Sequence, residues 1–277
     1  MTLNQALGVG VMMNPVETIQ QLRVSVATFS RVVFQHPQND ALMLALERQA
    51  SVMEDGTVRV QAQPFGGGIH ILNPAALQKI VGKIQFDSER SRHEQDFRIL
   101  IPPSKWELIK EYCLRHLADE EDVELETVPH RELTEEFAET INVYLNPNQY
   151  TARPLGFVIE NNPVRSDNAY ARGQLTVHLY RVFEVQIIDA MLCRVMLTVS
   201  QLYSDQELAE RARRDFEKGG KGHANSILTL PLSTVTESYL ALPPEMRYGK
   251  IQIDNHELDE SVLAVLEDIE VPQYQRV

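Results

Sequence analysis

The chain has 277 residues and a mass of 31.6 kDa, with 43% hydrophobic and 23% charged residues and Gly and Pro at background levels; this excludes disordered, collagenous and low-complexity classes and allows a sizeable core. Lys and Arg number 26 against 39 Asp and Glu, a net charge of -13, and that field repels duplex phosphates and excludes sequence-independent nucleic-acid binding. Two cysteines, Cys113 and Cys193, do not make a disulfide framework or a zinc site, and without a signal-peptide pattern or an apolar run of about 18 residues the expectation is a cytoplasmic protein with two free thiols and no membrane segment.

In chain order, Asn14-Pro15-Val16-Glu17 has the chemistry of a helix start, predicting a helix to about Leu22. Val24 to Phe34 and Ala41 to Leu46 are rich in Val, Leu and Phe around the turn His36-Pro37-Gln38-Asn39-Asp40, which predicts a hairpin. Thr57 to Gln63 alternates apolar and polar residues as a third strand and runs into Pro64-Phe65-Gly66-Gly67-Gly68, read as a turn or strand break. A different unit follows from Leu72 to Glu126. It has a helix opened by Asn73-Pro74, a charged segment Asp87 to Asp96, a short strand Phe97 to Ile101, and a helix from Ser104 with Glu107 in a capping box. Trp106, Ile109, Cys113 and Leu114 share one face of that helix.

A helix from about Val128 to Ile141 comes next, then strands at Leu155 to Glu160 and Leu175 to Ile187 around a polar loop, Asn161 to Gly173. Helix patterns cover Ile188 to Leu202 and Gln206 to Lys218, the second capped by Ser204 with Glu207 and stopped by Gly219-Gly220. A strand, Ser226 to Leu230, and short helices at Thr234 to Leu240 and Glu260 to Asp268 complete the chain. The fold class expected is α/β (α+β), a mixed sheet flanked by helices with a helical insertion.

The most informative residues are Arg131-Glu132-Leu133-Thr134-Glu135-Glu136-Phe137. Helical spacing puts Glu132, Glu135 and Glu136 on neighbouring parts of one face, with Glu139 close by and Leu133, Phe137 and Ile141 opposite, toward the core. Like charges this close repel, and hard divalent cations with oxygen ligands relieve that cost. The same residues are also compatible with a solvated face in which Arg131 and Glu135 form an i,i+4 pair.

These residues and their surroundings resemble the Nudix hydrolase family. Its signature runs Gly, five residues, Glu, seven residues, then Arg-Glu-hydrophobic-x-Glu-Glu-x-Gly-hydrophobic, and Arg131-Glu132-Leu133-Thr134-Glu135-Glu136 is similar to its second half. The order of elements is similar too: a strand with Leu42 to Arg48, a strand ending in Gly66-Gly67-Gly68, the glutamate helix, the strand after Arg172-Gly173, and Ser226 to Val235 as a late strand leading into a helix. The pattern departs from the family at Val123, which occupies the place of the first Glu with Glu124 and Glu126 nearby, and at Ala138 and Glu139, which replace the later Gly-hydrophobic pair. It is also interrupted by residues 72–126.

The resemblance implies one mixed-sheet domain of residues 1–71 and 127–277, carrying residues 72–126 as a small inserted α/β unit. That unit is expected to have its own apolar cluster of Trp106, Ile109 and Leu114 on the rim of the sheet. It further implies hydrolysis of a nucleoside diphosphate linked to another moiety, with water attacking phosphorus and Mg²⁺ or Mn²⁺ held by Glu132, Glu135 and Glu136. Glu135 or Glu136 would be the base, Arg131 would orient the carboxylates, and Gly66, Gly67 and Gly68 would form the substrate groove. The alternative is a catalytically silent module that senses a nucleotide or contacts a protein partner. Elsewhere, Arg90 and Arg92 read as a solvated charged stretch, His178 as packed or exposed, and no Ser, His and Asp grouping is evident.

Overall fold

The computed structural model describes residues 21–160, 162–166 and 171–277. Its core is a curled mixed sheet built around β1 (Leu22–Gln35), whose near-unbroken burial follows from Val, Ala and Phe on both faces. Three shorter strands share one edge of β1 in succession, all antiparallel to it: β5 (Arg98–Ile101) beside residues 22–25, β4 (Phe65–Gly68) beside 27–30, and β2 (Leu42–Val52) beside 32–35. The other edge carries β8 (Leu175–Ile187) in parallel, followed by β6 (Tyr150–Glu160) and β12 (Tyr274–Arg276).

Beyond β2 lie β3 (Val58–Gln63), β11 (His256–Leu258) and β10 (Ile251–Ile253), while β9 (His223–Pro231) takes the opposite edge of β2 and β7 (Val164–Arg165) extends β8. Helices α1 (Pro74–Val81), α2 (Glu89–Glu94), α3 (Trp106–Leu117), α4 (His130–Ile141), α5 (Ala190–Ser200), α6 (Asp205–Glu217), α7 (Leu232–Leu240) and α8 (Pro244–Arg247) flank the sheet. None is long and apolar enough to cross a membrane.

The hairpin at His36–Asp40, the cap of α1 by Asn73 and the Ser204/Glu207 capping box of α6 agree with the sequence. Both cysteines are buried and free. Other expectations change. The helix expected from Val16 falls outside the described residues except at its end, where Leu22 already belongs to β1. The glycines form a strand rather than a break, and the charged segment contains α2. A 3₁₀ turn, Pro103–Lys105, precedes α3 in place of the Ser104 capping box, because Pro103 sets the first turn without a side-chain cap. The final helix is a 3₁₀ segment, Glu260–Val265.

The segment 72–126 does not have an apolar cluster of its own. Ile109, Cys113 and Leu117 of α3 pack with Leu22, Val24 and Val26 of β1, Ile159 of β6 and Leu179 of β8, with Trp106 and Leu114 partly buried against them. Pairing of β5 with β1 is the cause, since a strand hydrogen-bonded to the central strand shares that strand's core.

Candidate functional site

Helix α4 docks through the apolar side that its sequence predicts. Leu133 and Phe137 are fully buried among Phe34, Met43, Phe65 and Phe183, and the Phe137 ring lies 4.8 Å from that of Phe65 on β4. This contact brings the adjoining glutamates over the glycines. The Gly66 amide donates to Glu136 Oε2 at 2.6 Å. Glu132 lies over Gly67, where any Cβ would collide with its carboxylate, and a Cβ at Gly66 (φ +148°) would collide with the Thr28 carbonyl. Gly66 is thus required by its close approach to β1, while Gly67 is crowded by the Glu132 carboxylate and a Cβ at Gly68 would meet that of Asp96.

Arg131 ties this arrangement together. Its Nε and Nη2 donate to the two oxygens of Glu126 at 2.9 and 2.8 Å, and Nη2 also donates to the Gly68 carbonyl at 3.1 Å and approaches Glu132 Oε1 at 2.5 Å. Glu126 therefore meets the arginine although it does not stand at the spacing of the family's first Glu. Burial works against the charge on Arg131, but Glu126, Glu132 and Glu135 outweigh it and hold the guanidinium firmly protonated.

The acids themselves are poorly compensated. Burial pushes the Glu132 carboxyl up to about 7 despite Arg131, with Glu135 and Glu126 adding to the rise. Glu136 is half-buried and held well above the usual carboxylate range, first by desolvation and then by the charges of Glu47 and Glu132, against which the Gly66 amide acts. Glu47, on β2 and 4% exposed, is raised by burial although it accepts from Gln63 at 2.9 Å and Asn225 at 3.0 Å.

Of the residues singled out from sequence, the structure thus brings together Arg131, Glu132, Glu136 and Gly66 to Gly68. Glu135 stands apart: its side chain is 58% exposed and meets Arg131 Nη1 at 3.3 Å. Sequence reasoning missed Glu47, whose signal was an acidic residue directly after the apolar run Leu42 to Leu46 of a strand. Arg90 and Arg92 form pairs within α2, with Glu94 and Glu89. His178 donates from or accepts at Nδ1 to Glu160 at 2.5 Å.

Carboxylate oxygens clustered at the expense of mutual repulsion suit a hard divalent cation. Among the described residues no group of three or more His, Cys, Asp or Glu side chains is placed to hold a metal ion. That is compatible with Mg²⁺, which takes one or two carboxylates and completes its shell with water and substrate phosphates. Glu132 and Glu136 are the acids at the glycine strand that could hold one. Comparison with protein-family models, curated proteins and solved structures finds no match to the chain.

Proposed function

We propose that the chain is a Nudix-like, metal-dependent hydrolase of a nucleoside diphosphate linked to another moiety. The observation that carries this reading is the seating of Glu132 and Glu136 on the glycine strand, with Arg131 locked between Glu126, the Gly68 carbonyl and Glu132. A metal held there would neutralise the diphosphate and lower the proton affinity of a bound water. Glu136 is the base of choice, because its hydrogen bond from the Gly66 amide fixes its position on the glycine strand. Arg131 sets the placement of Glu132 and Glu126. The test is a screen of nucleoside diphosphate derivatives with Mg²⁺ and with Mn²⁺ for phosphate-bearing products. Turnover with either ion supports the reading, and no product from any of them counts against it.

One observation favours the silent-module reading. Glu135, a signature position, is mostly exposed and held by Arg131. If that is the correct account, nucleoside diphosphate derivatives bind and are released unchanged.

A further inference from the structure

One face of the sheet is apolar at both ends and polar in the middle. Along β1, Val24 and Val26 belong to the core under α3, Val32 and Phe34 to the core under α4, and the alternate positions between them are Thr28 and Ser30. Along β8 the same face reads Val177, Leu179, Arg181, Phe183, Val185. Strand register aligns the break: Gly67 on β4 pairs with Thr28 on β1, Thr28 with Arg181 on β8, and Arg181 with Phe157 on β6. Glu132 lies over Gly67 at one end of this row. Arg181 stands two strands away, roughly 10 Å at ordinary strand spacing.

Arg181 differs from the other buried arginines. Arg23 is bonded to Asp87, Arg31 to Glu184 and Glu267, Arg48 to Asp205 and the Tyr203 carbonyl, and Arg247 to the carbonyls of Leu242 and Glu270. Arg181 is 5% exposed, yet it has no hydrogen bond or ion pair among the described residues, and its Nε is buried without a partner. Its guanidinium lies between two rings, 4.6 Å from the centroid of Phe157 and 5.2 Å from that of Phe183. Glu120, on an exposed turn, acts on it only as a charge, and burial lowers its proton affinity. Stacking fixes the guanidinium plane but leaves its donors unused, and a buried charge of this kind is costly unless something pairs with it. Ser30, in the same break, likewise has a buried hydroxyl without a partner.

We propose that Arg181 receives a phosphate group of a diphosphate ligand, in the same polar break of the sheet that carries Glu132. A planar donor fork matches phosphate oxygens two at a time, and the paired rings hold it ready. That the anion is a diphosphate rests on the hydrolase reading; that an anion docks at Arg181 rests on its burial and missing partners. In combination, Glu132 and Glu136 would act on one phosphate through a metal and Arg181 on the other directly.

The test uses inorganic diphosphate in EDTA, so that metal plays no part. Wild-type protein should melt about 5–10 °C higher at a hundredfold excess over Kd. Arg181→Met should lose that shift while its ligand-free midpoint equals or exceeds that of wild type, since an unpaired buried charge has been removed. Should Arg181→Met fail to fold, Arg181→Lys decides: it keeps the charge without the fork and should weaken diphosphate binding at least tenfold. No shift in wild type, an undiminished shift in Arg181→Met, or unchanged affinity in Arg181→Lys overturns the proposal. Metal-dependent turnover is measured apart from this. Diphosphate binding at Arg181 without turnover would sink the hydrolase reading alone, and turnover with KM unchanged in Arg181→Met would sink this inference alone.

Discussion

Two groups of acids, one within the sheet and one where α4 meets it, illustrate opposite uses of charge. Glu160 on β6 is 3% exposed and fully served: His178 Nδ1 lies 2.5 Å from one oxygen and the Tyr248 hydroxyl donates to the other at 2.9 Å. The His178 ring in turn stacks on Tyr180, which stacks on Phe29. Glu47, Glu132 and Glu136 are instead all raised by burial, Glu136 further by the charges of Glu47 and Glu132, and Arg131 offsets the rise at Glu132. A matched acid holds the fold together, whereas a group of mismatched acids subtracts from stability unless something outside the chain completes it. The mismatch is the physical reason for placing chemistry at α4 and not at Glu160.

The sharpest way to break this comparison is Glu136→Gln. If Glu136 is the base, turnover of a nucleoside diphosphate derivative should fall by about 10²–10⁴ while the melting temperature stays level or rises. A drop in stability with turnover intact would put Glu136 in the structural class with Glu160. Next in size is Phe137→Ala, which removes the contact with Phe65 that seats α4 and should cost about 3–5 kcal/mol of unfolding free energy in denaturant titration. Glu160→Ala should cost about 3 kcal/mol by the same measurement, since it leaves His178 and Tyr248 without their acceptor.

The pH response separates the two regions more finely. A carboxyl whose proton affinity is higher in the folded state destabilises the fold as it ionises. With Glu132 at 4.5 when unfolded and about 7 when folded, its contribution is fully favourable below about 4.5 and is lost as pH rises to about 7. Glu132→Gln should therefore flatten the decline of melting temperature across that interval in metal-free buffer, and it should be more stable than wild type at pH 8. An unchanged pH profile would mean that Glu132 is compensated in a way the geometry does not show. The smallest effect belongs to Arg90→Ala, which breaks the exposed pair with Glu94 and should change stability by no more than about 0.5 kcal/mol.

What could be read in advance follows local chemistry. The strand Leu175–Ile187 was legible from its run of Leu, Val and Phe, the start of α6 from its capping box, and the core side of α4 from the spacing of Leu133 and Phe137. Glycines carry no side-chain period, so Gly66 to Gly68 gave no strand signal; their pairing with β1 is decided by the close approach of Glu132 and the Thr28 carbonyl. The joining of β5 to β1 was hidden for a related reason, because strand order is a tertiary choice that no window of sequence contains. Arg181 interrupts an apolar alternation and Glu47 ends an apolar run, signs visible in sequence. Their meaning depends on which strands stand beside them.

The measurement closest to the central claim is a calorimetric titration of Mg²⁺ into wild-type protein and Glu136→Gln, each with ADP present as a diphosphate that completes the metal's ligands. The account predicts saturable binding to wild type at one site and at least tenfold weaker binding to Glu136→Gln, with both proteins equally folded by circular dichroism. Absence of Mg²⁺ binding to wild type, or equal binding by the two proteins, would contradict the assignment of the glutamates on α4 to a metal-dependent site.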